Sequence, residues 1–155
     1  MSTSPFVKVS PRGKLQTFAS KTWVAVLDQR TDLVYPRAPL PQRYDYAAAF
    51  EQEKTFDLLG AGWTVPEVEP LFLLPDRSRD PSIPDPRYFD CPADWYWTRT
   101  PEAWSPGSHA WVVNFDYGNI VGLHRGCAHR VLLARPRQFL GLRPRALLAG
   151  ERARA

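Results

Sequence analysis

The chain contains three histidines, two cysteines and several aspartates that could do chemistry. The histidines His109, His124 and His129 are not spaced with any serine or cysteine as a base beside its nucleophile. The cysteines Cys91 and Cys127 fall in no CxxC or Cys/His pattern of the kind that binds zinc. These observations predict a protein that is not an enzyme and that has no zinc site.

Two properties of these side chains stay open. Calcium prefers carboxylate oxygens, so it remains a candidate ligand, and no other cofactor is expected. The aspartates that could supply those oxygens are Asp85, Asp90, Asp94 and Asp116. A disulfide between Cys91 and Cys127 would tie the start of an aromatic strand to the closing hairpin, with two independent thiols as the default.

The C-terminal half of the chain is rich in aromatic and β-branched residues. Short runs of such residues, separated by Gly- and Asn-bearing turns, are typical of antiparallel strands. The pattern predicts strands over residues 94–98, 110–115, 120–121 and 130–135, with a hairpin turn at 116–119. Alternation places Trp95 and Trp97 on one face of the first of these strands and Tyr96 on the other. We expect four aromatic side chains in the core: Trp63, Trp97, Trp111 and Phe115.

The N-terminal half predicts a hairpin followed by a helix. Residues 23–28 and 33–35 have the composition of paired strands, and residues 6–9 form a further candidate strand. Apolar residues at helical spacing predict a helix over 44–59, which Gly60 would end.

The length of 155 residues suits one domain, and 44% apolar with 23% charged residues is ordinary for a globular protein. Sixteen prolines and six tryptophans favour an irregular, loop-rich fold. No apolar run approaches the roughly 20 residues that span a membrane, and no secretory signal is visible. We expect an N-terminal arm over 1–22, a domain over 23–135 and a basic tail over 136–155.

The basic tail accounts for the uneven charge of the chain. The net charge is +4, and the tail from Arg135 onward carries many arginines and a single acid, Glu151. Such a tail could touch nucleic acid or an acidic surface. A solvated tail or a packing arm in a larger assembly is the favoured interpretation, so nucleic acid is not expected as a partner.

Several motifs resemble one family, the Lcl C-terminal domains, which belong with the C-type-lectin-like and formylglycine-generating-enzyme-like folds. The family's Tyr-Trp-Ser/Thr, Ala-Trp-x-Val-Asn-Phe and Gly-Asn-Val motifs match residues 96–98, 110–115 and 118–120. Its closing Val-Arg strand resembles residues 131–135, where Leu132 replaces the usual arginine. The family's Asp-Trp-Arg-Leu-Pro motif, which opens its second helix, resembles Gly62-Trp63-Thr64-Val65-Pro66. The resemblance therefore implies a second helix that begins near Pro66, and proline suits the first helical turn. The resemblance extends from about Trp23 to Arg135.

The resemblance implies an α+β fold, namely a C-type-lectin-like domain with two helices packed on short, twisted antiparallel strands. In such domains the strand near residues 23–27 and the closing strand near 131–134 share one sheet region. The cysteines do not reproduce the motif of the formylglycine-generating relatives. The Glu-Pro-Asn and Trp-Asn-Asp calcium motifs of true C-type lectins are also absent from this chain.

The resemblance also implies that the last hairpin is the ligand-binding face, as it is in relatives diversified by retroelements. Tyrosine, histidine, arginine and asparagine on a rigid scaffold suit recognition. The implied site residues are Trp104, Tyr117, Asn119, Val121, Leu123, His124, Arg125, Cys127, His129 and Arg130.

The function that follows is non-catalytic recognition of a host surface protein or glycan. The domain would be displayed as an adhesin on a phage tail, another part of a virion, or a cell surface, beside other subunits of the assembly. Self-association of the chain stays open. The alternative is a structural component of a virion or another assembly, with no ligand-binding activity of its own.

Overall fold

The computed structural model describes residues 4–140 and shows an α+β fold with two α-helices and two antiparallel sheets. The strands are β1 (Phe6–Val9), β2 (Leu15–Gln16), β3 (Ala25–Asp28), β4 (Leu33–Pro36), β5 (Trp95–Pro101), β6 (His109–Asn114), β7 (Ile120–His124) and β8 (Arg135–Pro136). The helices are α1 (Tyr46–Glu51) and α2 (Val68–Phe72), with short 3-10 helices at Gln52–Lys54 and Arg137–Leu140. The predicted α+β class is therefore confirmed.

The larger sheet has the strand order β2-β1-β3-β4-β8. The predicted hairpin pairs β3 with β4, and Val26 lies opposite Tyr35. Its turn is held by the Asp28 carboxylate, which accepts the backbone N–H of Arg30 at 3.0 Å. Strands β1 and β2 come from the predicted N-terminal arm, and β1 pairs with β3 along its whole length. Residues 6–16 therefore form part of the main sheet.

The smaller sheet has the order β5-β6-β7, and its strands β5 and β6 bury side chains on both faces. Successive side chains of a strand point to opposite faces, and Tyr96 and Trp97 accordingly enter different core clusters. The Tyr96 cluster also contains Tyr35, Val68, Leu71, Phe89 and Phe115. The Trp97 cluster also contains Leu27, Tyr46, Ala49, Trp63 and Val65. Helix α2 thus packs on one face of this sheet and α1 on the other.

Residues 131–134 join the two clusters. Val131 and Leu133 pack in the Trp97 cluster, whereas Leu132 and Ala134 pack in the Tyr96 cluster. The sequence predicted a strand over 130–135, but the regular strand is β8, which pairs with β4. The preceding residues form only isolated bridges, for example between Ala134 and Thr64, because their backbone passes between the two sheets. Strands β3 and β8 lie in one sheet, as expected for the two ends of the domain.

Helix α1 is much shorter than the predicted helix over 44–59. It begins after Asp45, whose side chain accepts the N–H of Ala48 at 2.8 Å as an N-cap. It ends at Glu51 because the following residues turn back toward Trp63: the Glu53 carboxylate accepts the N–H of Val65 at 2.8 Å. Leu59, the last residue of the predicted helix, has a left-handed φ of 56° and is therefore not helical.

Helix α2 starts two residues after Pro66, where the sequence placed its first turn. Glu67 is its N-cap, and Pro70 is its third residue. The first four N–H groups of a helix have no partner within it, so Pro70 costs no hydrogen bond there. The N–H of Val68 is accepted instead by the Thr100 hydroxyl of β5, at 3.0 Å.

The four predicted core aromatics divide into three that are buried and one that is not. Trp63, Trp97 and Phe115 are 0–1% exposed. The expectation that Trp111 is buried is wrong, since its side chain is only half-buried. Its partner across the β6–β7 ladder is Gly122, which has no side chain to cover it.

Within residues 4–140 no helix is both long and apolar enough to cross a membrane.

We expect Trp97→Ala to lower the free energy of unfolding by about 3–5 kcal/mol, because the indole fills the interior and its N–H is hydrogen-bonded to the Tyr44 carbonyl. Trp104→Ala is the matched control, since that side chain is 82% exposed and should cost less than about 0.5 kcal/mol. Urea denaturation of both variants measures the difference. Equal midpoints would contradict the central position of Trp97.

Candidate ligand-binding groove

A shallow groove of about 430 Å³ lies on one face of the smaller sheet. Its walls come from the start of β5, the end of β7, the loop that follows β7, and one arginine from the segment before α1. The lining residues are Arg43, Asp94, Trp95, Leu123, Cys127, Ala128 and His129. We call it the Trp95 groove.

The groove is held in place from both of its sides. The loop after β7 pairs with the segment before α1, because Tyr44 and His129 exchange two backbone hydrogen bonds of 2.8 and 2.9 Å. The loop after β7 begins with a tight turn, in which the Cys127 N–H donates to the His124 carbonyl at 3.1 Å. Trp95 and Arg130 are joined by a further backbone bond of 2.9 Å. The loop is therefore fixed by backbone contacts at its start and along its return.

Asp94 lies at the centre of a charged network beside the groove. Its Oδ2 atom accepts from Arg43 Nη2 at 2.6 Å and from Arg130 Nε at 3.0 Å, while Oδ1 accepts the Trp95 N–H at 2.7 Å. Burial alone would raise the pKa of Asp94, but these hydrogen bonds and the two guanidinium charges outweigh it and lower that pKa. The carboxylate is therefore charged at neutral pH, and it joins three segments that are distant in sequence.

His129 packs among the tryptophans of β5. Its ring stacks on Trp95 at 6.1 Å and meets the edge of Trp97 at 4.8 Å. Burial lowers the pKa of His129, with Asp94 opposing that shift. The buried Nε2 atom has no hydrogen-bond partner within residues 4–140. A neutral imidazole among aromatic rings provides a flat wall for the groove rather than a charge.

The structure answers the question of the disulfide. Cys91 is buried and Cys127 is exposed, and both are free thiols. Burial raises the pKa of the Cys91 thiol, so this side chain stays protonated in the Tyr96 cluster. Cys127 contributes its side chain to the Trp95 groove.

The ten predicted site residues do not lie on one surface. Three of them line the Trp95 groove: Leu123, Cys127 and His129. Val121 packs on the same sheet face, against the Trp97 cluster. The guanidinium of Arg130 binds Asp94 beside the groove, and that of Arg125 lies over the Tyr46 ring at 4.7 Å.

The remaining four predicted residues lie elsewhere. Tyr117 and Asn119 are exposed at the tip of the β6–β7 hairpin. His124 points to the opposite face from Leu123, and its ring contacts His109 at 5.4 Å. Trp104 is on that opposite face as well, with its ring 6.1 Å from that of Trp111.

The face that carries His124 and Trp104 also contains Gly122 of β7, and a neighbouring side chain lies close to this glycine. A Cβ atom placed on Gly122 would lie 2.6 Å from Cγ of Glu102, which is closer than van der Waals contact allows. The Glu102 residue is only 9% exposed. A side chain at position 122 would therefore require the Glu102 side chain to move.

Four groove residues were missed by the sequence reasoning: Arg43, Asp94, Trp95 and Ala128. Asp94 and Trp95 open the predicted aromatic strand, so the alternation of that strand could have placed Trp95 on the face that also carries Trp97. Arg43 had no local signal, because its partner Asp94 is 51 positions away.

The other candidate chemical groups lie apart from the groove. The Ser108 hydroxyl is 2.7 Å from His109 Nδ1, in neighbouring residues of the loop before β6. The carboxylate of Asp85 is bound by Arg87 at 2.7 Å. In the part of the chain that the structure describes, no three His, Cys, Asp or Glu side chains cluster so as to hold a metal ion.

Fold and groove together define a small α+β domain with an aromatic and charged groove on one face of its second sheet. The sequence model of the Lcl C-terminal domain matches residues 24–135, which is most of the chain, and the protein belongs to that family. The resemblance inferred from the motifs is thereby confirmed. No curated protein matches the chain.

Asp94→Asn should lower the melting temperature at pH 7, because Arg43 and Arg130 lose their charged acceptor. A carboxyl group with a lowered pKa stabilises the fold above its unfolded pKa of about 4, and that contribution disappears as the pH falls through the folded value. The difference from the wild type should therefore shrink between pH 5 and about pH 2, as measured by thermal denaturation.

The control for this prediction is Glu51→Gln. Glu51 pairs with Lys54 on the surface, where both side chains are more than 60% exposed, so its loss should change little. A pH-independent difference between Asp94→Asn and the wild type would show that charge is not what Asp94 contributes.

Proposed function

We propose that the protein is a C-type-lectin-like recognition domain that binds a ligand in the Trp95 groove without chemical conversion. The groove is the observation that carries this proposal. It combines an aromatic wall with a charged pair, and its residues Trp95 and Leu123 pack against the Trp97 cluster on the same face of the sheet. Rigid aromatic side chains give a large contact area at a low cost in conformational entropy.

The lining of the groove favours a ligand with a flat apolar surface and polar substituents. Trp95 and His129 offer ring faces, while Asp94 accepts and Arg43 donates hydrogen bonds. The Arg43 side chain is 54% exposed, so a ligand can reach it without breaking the core. A sugar ring or an aromatic side chain of a protein has this combination, and neither requires a cofactor.

Membership of the Lcl C-terminal domain family supports a recognition role over residues 24–135. We infer that the domain acts as an adhesin on a virion, such as a phage tail, or on a cell surface, where it contacts a host protein or glycan. Side chains of β7 and its loop can vary there without disturbing the buried strands, which suits diversification of the binding surface by a retroelement.

Ala128→Trp tests the groove directly. Ala128 is exposed in the loop and lines the groove, so an indole at this position fills the space without removing a core contact. We expect binding of the labelled protein to a glycan array and to an array of surface peptides to fall at least about tenfold, because a blocked central pocket removes the anchoring contacts.

The matched control is Ala103→Trp, another exposed alanine, which lies beside Trp104 on the opposite side of the sheet. Both variants should keep the wild-type free energy of unfolding to within about 0.5 kcal/mol. Equal binding by the two variants would remove the groove from the mechanism. Unchanged binding together with failed assembly after truncation at residue 140 would favour the structural component instead.

A further inference from the structure

A second groove, larger than the first, lies at the other sheet. It has a volume of about 660 Å³. It is lined by β1, the β3–β4 turn and two parts of the connection between α2 and β5. None of the ten predicted site residues lines it. We call it the arginine groove, after the three arginines Arg30, Arg77 and Arg87 in its walls.

The floor of the arginine groove is apolar and aromatic. The Tyr88 ring packs against Phe6 at 5.6 Å and against Phe18 at 5.8 Å. Leu74 closes the floor and is 2% exposed. Two apolar side chains of the rim remain open to solvent: Phe18 is 57% exposed and Leu73 is 40% exposed. An apolar body entering the groove would therefore cover surface that the chain itself leaves uncovered.

Arg30 and Arg87 each bind an aspartate and keep N–H groups that make no hydrogen bond within residues 4–140. Arg30 uses Nε and Nη2 to hold the Asp28 carboxylate at 2.9 and 3.0 Å. Arg87 holds Asp85 with the same two nitrogens, at 3.0 and 2.7 Å. In the part of the chain that the structure describes, the Nη1 groups of both arginines make no hydrogen bond. Each guanidinium is thus oriented by one carboxylate and still has two N–H donors for another acceptor.

Arg77 differs because it has no acidic partner within residues 4–140. Its Nε donates to the Gly118 carbonyl at 2.8 Å and its Nη2 donates to the Phe72 carbonyl at 2.7 Å. These bonds fix the guanidinium but do not neutralise its charge. The arginine is therefore a positioned, unpaired cation in the groove wall.

The two aspartates of the groove cannot cancel this charge, because both are engaged by their own loop. Asp76 accepts from the Ser78 hydroxyl at 2.6 Å and from Arg79 Nε at 2.9 Å. Asp85 is 8% exposed and is held by Arg87. The arginines that bind Asp28, Asp76 and Asp85 are thus each paired, and the unpaired Arg77 leaves the groove with one net positive charge above an apolar floor.

We propose that the arginine groove binds a carboxylate attached to an apolar body, such as the C-terminus of a peptide that ends in an aromatic residue. The ring would cover the Tyr88 floor, and the carboxylate would take the remaining guanidinium donors, which match carboxylate geometry. The volume lies within the usual range for a small-ligand site. This site is separate from the Trp95 groove and does not depend on the function proposed for it.

The experiment is an NMR titration of the full chain with three probes: acetyl-Gly-Phe with a free carboxylate, its C-terminal amide, and phenylpropionate. We expect the free acid to shift the resonances of Phe18, Leu73 and Tyr88, and to bind at least about fivefold more tightly than the amide, because one favourable charge contact is worth about 1 kcal/mol at a solvated surface. Phenylpropionate has a ring and a carboxylate but no peptide bond. If it binds as tightly as acetyl-Gly-Phe, the groove takes a small carboxylic acid. If it binds more weakly, the groove takes a peptide C-terminus.

Paired substitutions of Leu73 separate charge from shape. Leu73→Glu and Leu73→Lys remove the same exposed leucine, so we expect the first to weaken binding of acetyl-Gly-Phe and the second to strengthen it. The control is Leu15→Glu, which is also 40% exposed but lies on β2 outside the groove. It should bind as the wild type does.

Two results would overturn the proposal. Equal affinity of acid and amide, or of the two Leu73 variants, would show that the positive charge has no role. A dimer of the wild-type chain that Leu73→Glu dissociates would assign the groove to a second copy of the protein.

Discussion

The fold depends on one short stretch of backbone, residues 131–134, that both core clusters share. Its side chains alternate between the clusters, and all four residues are 0–3% exposed. Each end is hydrogen-bonded to a different sheet region: Arg130 pairs with β5 and Arg135 with β4. Two small sheets that bury little area separately are thereby combined into one core, which a domain of this size requires. A polar residue in this stretch would enter one of the clusters without a partner.

The same arrangement explains why the Trp95 groove can be rigid although loops form much of it. Strand β5 is fixed through Trp97, whose N–H is bound to the Tyr44 carbonyl. Tyr44 is also bridged to His129, so one short segment contacts both walls of the groove. Asp94 adds a charged connection to Arg43 and Arg130. The groove is thus stabilised by contacts between segments far apart in sequence, and removing one leaves the others in place.

Sequence patterns predicted the strands well where alternation or a turn marked them. Strands β3, β4, β5 and β6 fall where aromatic and β-branched residues indicated them, and Gly118 sits at the hairpin turn with a φ of 76°. The long predicted helix was wrong because its apolar residues beyond Lys54 face Trp63 as loop residues, for example Phe56 with its ring 5.6 Å away. Helical spacing alone cannot distinguish these two outcomes.

The lining of the Trp95 groove was predicted in part. Leu123, Cys127 and His129 line the Trp95 groove, but the other predicted residues occupy the opposite face, the hairpin tip or supporting contacts. Adjacent residues of a strand face opposite ways, so a set that included both Leu123 and His124 could not form one surface. Arg43 and the arginine groove both depend on contacts distant in sequence, such as Arg77 with Gly118, and no local pattern indicates them.

Strand β7 has a consequence for how this protein can evolve. Its even and odd positions belong to separate surfaces, with Leu123 toward the Trp95 groove and His124 away from it. Gly122 lies against the Glu102 side chain, which would have to move for a larger residue to fit. Substitutions at the odd positions of β7 can therefore change the groove side of the strand while the side chains on its other side stay as they are.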